Sequence, residues 1–147
     1  LGKIATDVSV LKRFSNVYLL GRQPYDTLPA YCRGFDAAMI PFPMNEVTLN
    51  ANPLKAREYL AAGLPVISTA IPEVESLGCC RIGRTPDEFV QQINAALAEP
   101  GPSAARSDTM QHERWEDRLA EIKGHVAATL ARRTFAPKST PVLRLAA

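Results

Sequence analysis

Residues 52–68 constrain the fold more than any other part of this 147-residue chain. Asn52 is a residue type that caps helices, and Pro53 suits the first helical position because its ring presets a helical φ. Gly63 is a typical helix stop, and Pro65-Val66-Ile67-Ser68 then predicts a short strand rich in β-branched residues. A helix that leads at once into a buried strand is one step of an α/β fold.

Three further apolar runs are candidates for neighbouring strands. They are residues 16–21, residues 37–40 and, as an edge strand, residues 79–82. With the strand after Gly63 they predict an α/β, Rossmann-like parallel sheet with flanking helices. Doubly wound sheets have roughly five or six strands. The smaller number leads us to expect that the front of the domain precedes Leu1.

Three more helices are predicted. Residues 25–33 place Leu28, Tyr31 and Cys32 on one face, with Pro29 tolerated in the first turn and Gly34 as the stop. Thr85-Pro86-Asp87-Glu88 has the layout of a capping box and opens the second helix. The third spans residues 110–133. The apolar face of the second helix is predicted to contain Phe89, Val90, Ile93 and Leu97. That of the third helix is predicted to contain Trp115, Leu119, Ile122, Val126 and Leu130.

The chain is predicted to contain three parts. Residues 1–105 form a partial Rossmann-like domain, residues 106–133 a C-terminal helix, and residues 134–147 a flexible tail with two prolines. The break between the first two parts is Pro100-Gly101-Pro102-Ser103. Residues 41–51 show no clear period and are predicted to be a loop with functional polar side chains.

Composition excludes several classes of protein. Lys and Arg number 17 against 15 acidic residues, and a net charge of +2 without a basic stripe argues against nucleic-acid binding. No apolar run is long enough to span a membrane, and the start has no signal-peptide layout. Cys32, Cys79 and Cys80 lack metal-binding spacing and are expected to be reduced thiols. We therefore expect a cytoplasmic protein without a metal site.

The helix that begins at Asn52 is the best candidate for ligand binding. It follows the carboxyl end of the strand that ends at Ile40, where open parallel sheets bind ligands, and its N–H groups suit a phosphate. Lys55 opposes the helix dipole, so a bound anion and a solvated surface lysine are equally good interpretations. Glu58 suits the vicinal hydroxyls of a ribose, or else is an exposed partner of Arg57.

Several pieces of this region fall in a family's order and spacing. They are residues 16–22, 24–31 and 36–41, then residues 52–66 with Glu58-Tyr59-Leu60-Ala61-Ala62-Gly63-Leu64-Pro65-Val66, and finally Thr69, Pro72 and Glu73. The stretch resembles the C-terminal, donor-binding half of GT-B glycosyltransferases of the group 1 class. Trp115-Glu116-Asp117-Arg118-Leu119 resembles the closing helix of such enzymes, although core packing is the favoured interpretation of Trp115.

The resemblance implies a role for each matching position. Glu58 would bind the ribose of a nucleotide-sugar. Arg22 and Gln23, in the loop after Gly21, would line the nucleobase pocket. The start of the helix would offer backbone N–H groups to the diphosphate, which involves Asn52, Pro53 and Leu54, with Lys55 beside them.

One position departs from the family's pattern. Many members carry a second glutamate eight residues before the one that binds ribose, and here that residue is Asn50. Glu46 is placed on the same loop and is a candidate for the missing carboxylate. No residue is assigned as the catalytic base, and His112 and His125 are expected on the surface.

The resemblance also implies the reaction and its partners. The enzyme would transfer a sugar from a nucleotide-diphosphate donor, most commonly a uridine one, to a glycan or lipid-linked acceptor held mainly by another domain. It would use no cofactor, and with a lipid-linked glycan or a growing polysaccharide as acceptor the whole enzyme would contact the membrane through its other half. The 147 residues alone are expected to be inactive. Two alternatives stay open: a non-catalytic nucleotide-binding or regulatory domain, and a nucleotide-sugar epimerase of GT-B type.

Overall fold

A computed structural model describes residues 2–135 and shows an α/β fold with a small parallel sheet. The strands are β1 (Ala38–Ile40), β2 (Val66–Ser68) and β3 (Arg81–Ile82), in that order across the sheet. Ala38 pairs with Val66, and Ile67 pairs with Arg81. The strands predicted at residues 37–40 and 65–68 are confirmed, and so is the edge strand, which is shorter than predicted. The arrangement is compatible with a part of a Rossmann-like fold.

The strand predicted at residues 16–21 is wrong. Ser15 and Asn16 form a turn, residues 17–20 join no sheet in the described structure, and their apolar side chains are exposed, with Tyr18 77% accessible. Two backbone groups of residues 16–21 make hydrogen bonds outside the sheet. The Val17 N–H donates to the Phe14 carbonyl over 3.2 Å, and the Gly21 carbonyl accepts from the Gly2 N–H over 2.8 Å. β-branched and aromatic residues favour a strand only where a neighbouring strand is present to pair with them.

The first two helices flank β1. A 3-10 turn over Tyr25–Thr27 leads into α1 (Leu28–Cys32), with Pro29 in the first turn as predicted. The predicted loop over residues 41–51 contains a short helix, α2 (Glu46–Leu49), and is corrected here. Asn45 is the N-cap residue of α2, since its Oδ1 accepts from the N–H groups of Val47 and Thr48 over 3.0 and 3.1 Å. The Thr48 hydroxyl oxygen in turn accepts from the Asn45 N–H over 2.9 Å, which completes a capping box.

The third helix, α3 (Leu54–Ala61), begins one residue later than predicted. Pro53, with ψ of 106°, is the N-cap residue, so the prediction that Asn52 caps the helix with Pro53 at its first position is wrong. The Asn52 Oδ1 accepts from the Arg57 Nη1 over 2.5 Å, so this oxygen bonds the side chain of Arg57. Gly63 ends the helix as predicted, with φ of +78°.

The core lies between α3, the sheet and α4 (Pro72–Ser76). Along β2 successive side chains point to opposite faces, and all three are buried, so both faces of this central strand are covered. α3 packs on β1 and β2, whereas the helix after β3, α5 (Pro86–Ala96), packs on β2 and β3. The largest fully buried apolar side chains are Ile40, Leu60, Leu64, Val66, Ile67, Ile71 and Val74.

Helix α5 (Pro86–Ala96) is capped as predicted but buries a different face. The Thr85 hydroxyl accepts from the Glu88 N–H over 3.2 Å. The Glu88 carboxylate accepts from the Arg84 N–H over 2.8 Å, one residue before the position expected in a capping box. Phe89, Ile93 and Ala96 face inward, while Val90 and Leu97 are about half exposed, so their predicted place on the buried face is wrong. The three cysteines are free.

A short helix, α6 (Ala104–Asp108), follows the predicted break and packs on α3. The Ser103 N–H donates to the Gly63 carbonyl over 2.9 Å, and the Ser107 hydroxyl donates to the Ala61 carbonyl over 2.7 Å. Contacts divide the chain into two compact units after Met110. α6 therefore belongs to the first unit, with α3 and the sheet.

The second unit contains one long helix, α7 (Trp115–Phe135), which starts five residues later than predicted. Its apolar stripe is present, but Trp115 is 86% exposed. Among the described residues of this unit no second element covers the stripe, and the expected core packing of Trp115 stays a prediction. His112 and His125 are exposed, as predicted. Residues 136–147 of the predicted tail lie outside the described residues. No helix among those described is long and apolar enough to cross a membrane.

Candidate functional site

The candidate site is built around Glu58, in the second turn of α3. Its side chain is half-buried, and its Oε1 accepts a hydrogen bond from the Tyr25 hydroxyl over 3.0 Å. Tyr25 lies 33 residues earlier, in the turn before α1, and its own ring is 73% exposed. The contact joins two segments that are distant in sequence at the surface of the first unit.

Two adjoining cavities meet at this contact. One has a volume of about 420 Å³ and mostly apolar walls from α1 and the end of α3. The other, of about 170 Å³, is more polar and lies toward the start of α3. Tyr25, Leu28 and Glu58 line both. The apolar cavity is completed by Asp26, Pro29, Cys32, Ala61 and Ala62, and the polar cavity by Gly2, Arg22, Gln23, Pro24, Tyr31 and Lys55.

The polar cavity brings together four of the residues predicted to bind a donor. Arg22 and Gln23 come from the loop before the 3-10 turn, and Lys55 and Glu58 come from α3. Lys55 and Glu58 are three residues apart and therefore share a face of the helix. The Gln23 Nε2 donates to the Leu20 carbonyl over 2.7 Å, which holds the loop in a tight turn. The wall therefore carries two cations, a carboxylate and an amide.

Gly21 contributes to this wall through its backbone conformation. It has φ of +66°, a conformation that glycine adopts without strain, and its carbonyl accepts from the Gly2 N–H over 2.8 Å. Gly2 itself lines the polar cavity. The predicted contribution of Gly21 is thus backbone geometry, since the residue has no side chain to offer a ligand.

Glu46 and Asn50 lie together on α2. The Asn50 Nδ2 donates to the Glu46 carbonyl over 2.8 Å, and Asn50 caps the C-terminal end of the helix. Both side chains are exposed, and neither is among the residues that line the two cavities. Their predicted contact with the donor sugar stays a prediction that these cavities do not address.

The start of α3 is braced by an ion pair. Arg57 donates to Asn52 and, over 2.7 Å, to the Oε1 of Glu73 on α4. Pro53 is buried, while Leu54 and Lys55 are exposed. These contacts hold the backbone at the start of α3, where the first N–H groups have no carbonyl within the helix to bond. Asn52 serves the site by supporting this backbone.

The pKa values follow from these contacts. The hydrogen bond from Tyr25 to Glu58, and the charge of that carboxylate, raise the pKa of the Tyr25 phenol. Burial, and then the charge of Glu58, raise the pKa of the Cys32 thiol at the floor of the apolar cavity. The Tyr25 phenol and the Cys32 thiol therefore keep their protons at neutral pH. Tyr25 acts as a hydrogen-bond donor, and Cys32 contributes apolar surface to the cavity.

The tyrosine titration tests the central contact. The pKa of Tyr25 is raised above its ordinary value of 10.0, so the bond is fully present below pH 10 and is lost as the pH rises through the raised value. We expect Glu58→Gln to move the pKa of Tyr25 back toward 10.0, because the substitution removes the charge and keeps the shape. NMR titration of the labelled tyrosine ring carbons measures this. An identical Tyr25 pKa in both proteins would contradict the contact.

Sequence reasoning missed Tyr25 as part of the site. The residue lies within the stretch that carries the family resemblance, but a spacing of 33 residues gives no periodic pattern that joins it to Glu58. Asp26 and Tyr31 were missed for the same reason. Among the described residues, no group of three or more His, Cys, Asp and Glu side chains is placed to hold a metal ion.

Comparison of the chain with models of protein families, with curated proteins and with solved structures found no significant match.

Proposed function

We propose that this chain is the donor-binding part of a glycosyltransferase of GT-B type, which takes a sugar from a nucleotide-diphosphate donor, uridine diphosphate in the first instance. The observation that carries the proposal is the polar cavity in which Arg22 and Gln23 face Lys55 and Glu58. The residues come from two segments, and the same family resemblance assigns both of them to parts of one donor molecule.

Glu58 has the chemistry for the ribose. A carboxylate offers about four acceptor positions, and the Tyr25 hydroxyl occupies one of them. The remaining positions suit the two O–H donors of a vicinal diol, and a bond from a neutral donor to a charged acceptor contributes about 1.5–3 kcal/mol.

Lys55 and the start of α3 have the chemistry for the diphosphate. Lys55 is one turn closer to the helix N-terminus than Glu58, and Arg22 lines the same cavity. A diphosphate attached to the ribose at Glu58 would thus extend toward two cations and the positive end of the helix. In sugar transfer the diphosphate is the leaving group, and cations beside it stabilise the charge that develops there.

The affinity of the Glu58→Gln variant for uridine diphosphate tests the proposal. We expect the chain to bind uridine diphosphate, and Glu58→Gln to weaken this binding about tenfold, since one charge-assisted contact of about 1.4 kcal/mol is lost. Isothermal titration calorimetry, with ligand-observed NMR if binding is weak, measures the two dissociation constants.

Glu116→Gln is the matched control. It makes the same change at an exposed position on α7 that is not among the residues lining either cavity, and is expected to leave the dissociation constant unchanged. The proposal fails if the unmodified chain shows no binding at millimolar nucleotide, or if Glu58→Gln binds as tightly as the unmodified chain.

A further inference from the structure

Tyr25 stands at the boundary between the two cavities. It lines both, and its hydroxyl lies 3.0 Å from the Glu58 Oε1. A tyrosine at such a boundary contributes packing surface, but its hydroxyl makes a specific bond to the carboxylate that faces the ligand cavity. The question is what that bond does for Glu58.

A glutamate on a helix surface has three side-chain torsions and loses considerable freedom when it is fixed. If Glu58 moved freely, a ligand would have to pay for this ordering when it binds. The bond from Tyr25 fixes one oxygen of Glu58 beforehand and leaves Oε2 with both of its acceptor positions. Ordering before binding increases affinity for the group that fits the fixed geometry.

The turn that carries Tyr25 is itself well held. The Thr27 hydroxyl and the Thr27 N–H both donate to the Pro24 carbonyl, over 2.7 and 3.2 Å. The proline ring of Pro24 fixes its own φ, here −56°, which limits the motion of the turn. Tyrosine adds only two side-chain torsions, so its ring is a comparatively rigid arm.

The charges around the contact favour the same arrangement. Asp26 and Glu58 both line the apolar cavity, and the polar cavity adds Lys55 and Arg22. The Tyr25 hydroxyl is a neutral donor, so it binds Glu58 and leaves the negative charge in place. A cation in an ion pair would neutralise that charge. The carboxylate therefore stays a full-strength acceptor for a ligand hydroxyl.

We infer that Tyr25 is a positioning residue, which holds Glu58 in place for the 2′- and 3′-hydroxyls of a ribose and so makes the site prefer ribonucleotides to 2′-deoxyribonucleotides. This inference rests on the proposed function. It adds a residue and a selectivity that the family resemblance did not assign. Tyr25 acts through Glu58 and takes no part in bond making or breaking.

The test measures the dissociation constants of uridine diphosphate and 2′-deoxyuridine diphosphate by calorimetry. We expect the unmodified chain to prefer the ribonucleotide about tenfold, which corresponds to the loss of one bond to a charged acceptor. Tyr25→Phe is expected to reduce the preference to about threefold or less, mainly by weakening the ribonucleotide complex. Tyr18→Phe removes a hydroxyl from an exposed tyrosine that lines neither cavity and should keep the full preference.

A double variant separates positioning from packing. If Tyr25 acts through Glu58, Tyr25→Phe combined with Glu58→Gln will show the same small preference as Glu58→Gln alone, because the two effects are not additive. A purely structural role would weaken both nucleotides equally and leave their ratio unchanged.

The outcomes distinguish the inference from the function on which it rests. An unchanged ratio in Tyr25→Phe, with weaker binding by Glu58→Gln, overturns the inference and leaves the proposed function standing. Absence of nucleotide binding in the unmodified chain, or binding that is indifferent to Glu58→Gln, overturns both. A ratio that narrows in Tyr25→Phe but not in Tyr18→Phe supports the inference.

Discussion

Gly63→Ala is expected to lower the free energy of unfolding of the first unit by about 2–5 kcal/mol, because the substitution combines two separate penalties. Gly63 has φ of +78°, where an L-residue is strained by about 1–2 kcal/mol. A Cβ at this position would also lie 2.5 Å from the Ser103 carbonyl oxygen and 2.8 Å from the Ser103 nitrogen. These are backbone atoms, so no side chain can rotate away to make room.

Two other glycines serve as controls, because each carries one of the penalties. Gly78 has φ of +69° and open space around it, so Gly78→Ala should cost about 1–2 kcal/mol. Gly83 is not in the left-handed region, but a Cβ there would lie 2.5 Å from the Phe89 Cα. Gly83→Ala therefore measures overlap alone, at about 1–3 kcal/mol.

Urea unfolding, followed by far-ultraviolet circular dichroism, gives the three free energies. We expect Gly63→Ala to be the least stable of the three. A loss for Gly63→Ala no larger than that for Gly78→Ala would show that the approach of Ser103 to Gly63 contributes nothing to stability.

The same glycine connects the fold to the candidate site. Gly63 ends α3, and its carbonyl accepts from Ser103, so the C-terminal end of α3 is held by the segment before α6. Glu58 and Lys55 stand on the earlier turns of this helix. A loose end of α3 would tilt both side chains. Stability at Gly63 is thus a condition for a fixed polar cavity.

Sequence reasoning predicted the elements that carry strong local patterns. Helix α3 has a recognisable stop residue in Gly63, and the strands β1 and β2 are short apolar runs. Both kinds of signal act over a few residues. It failed where the outcome depends on distant parts of the chain. Residues 17–20 have the composition of a strand, yet no described strand pairs with them.

The candidate site was predictable to a similar extent. Arg22, Gln23, Lys55 and Glu58 were named from the sequence and line one cavity in the structure. The partner of Glu58 was not predictable, because only the fold brings Tyr25 and Glu58 together across 33 residues. The helix start moved from Asn52 to Pro53 because Arg57 engages the amide that was expected to act as the cap.

Arg106→Met is expected to lower the free energy of unfolding by about 2–4 kcal/mol, since hydrogen bonds from a charged donor contribute about 1.5–3 kcal/mol each. The side chain of Arg106 is only 24% exposed, and its guanidinium donates to three backbone carbonyls. Nε bonds Gly63 over 2.8 Å, and Nη2 bonds Gly101 over 2.5 Å and Glu99 over 3.3 Å. Methionine keeps the apolar stem and leaves all three carbonyls without this donor.

Arg106→Lys should recover little of the loss, because an ammonium group lacks the planar fork that bonds several carbonyls at once. The control addresses the nearby ion pair, in which Arg106 Nη1 lies 3.8 Å from a Glu99 carboxylate that is 77% exposed. Glu99→Gln should change stability by less than about 0.5 kcal/mol, as is usual for an exposed pair. If Glu99→Gln lowers the free energy of unfolding as much as Arg106→Met does in the same urea experiment, the stabilising contact of Arg106 is the ion pair and not the bonds to the carbonyls. If Arg106→Met is as stable as the unmodified chain, neither contact is stabilising, and the end of α3 is held by its other contacts, which include the bonds from Ser103 and Ser107.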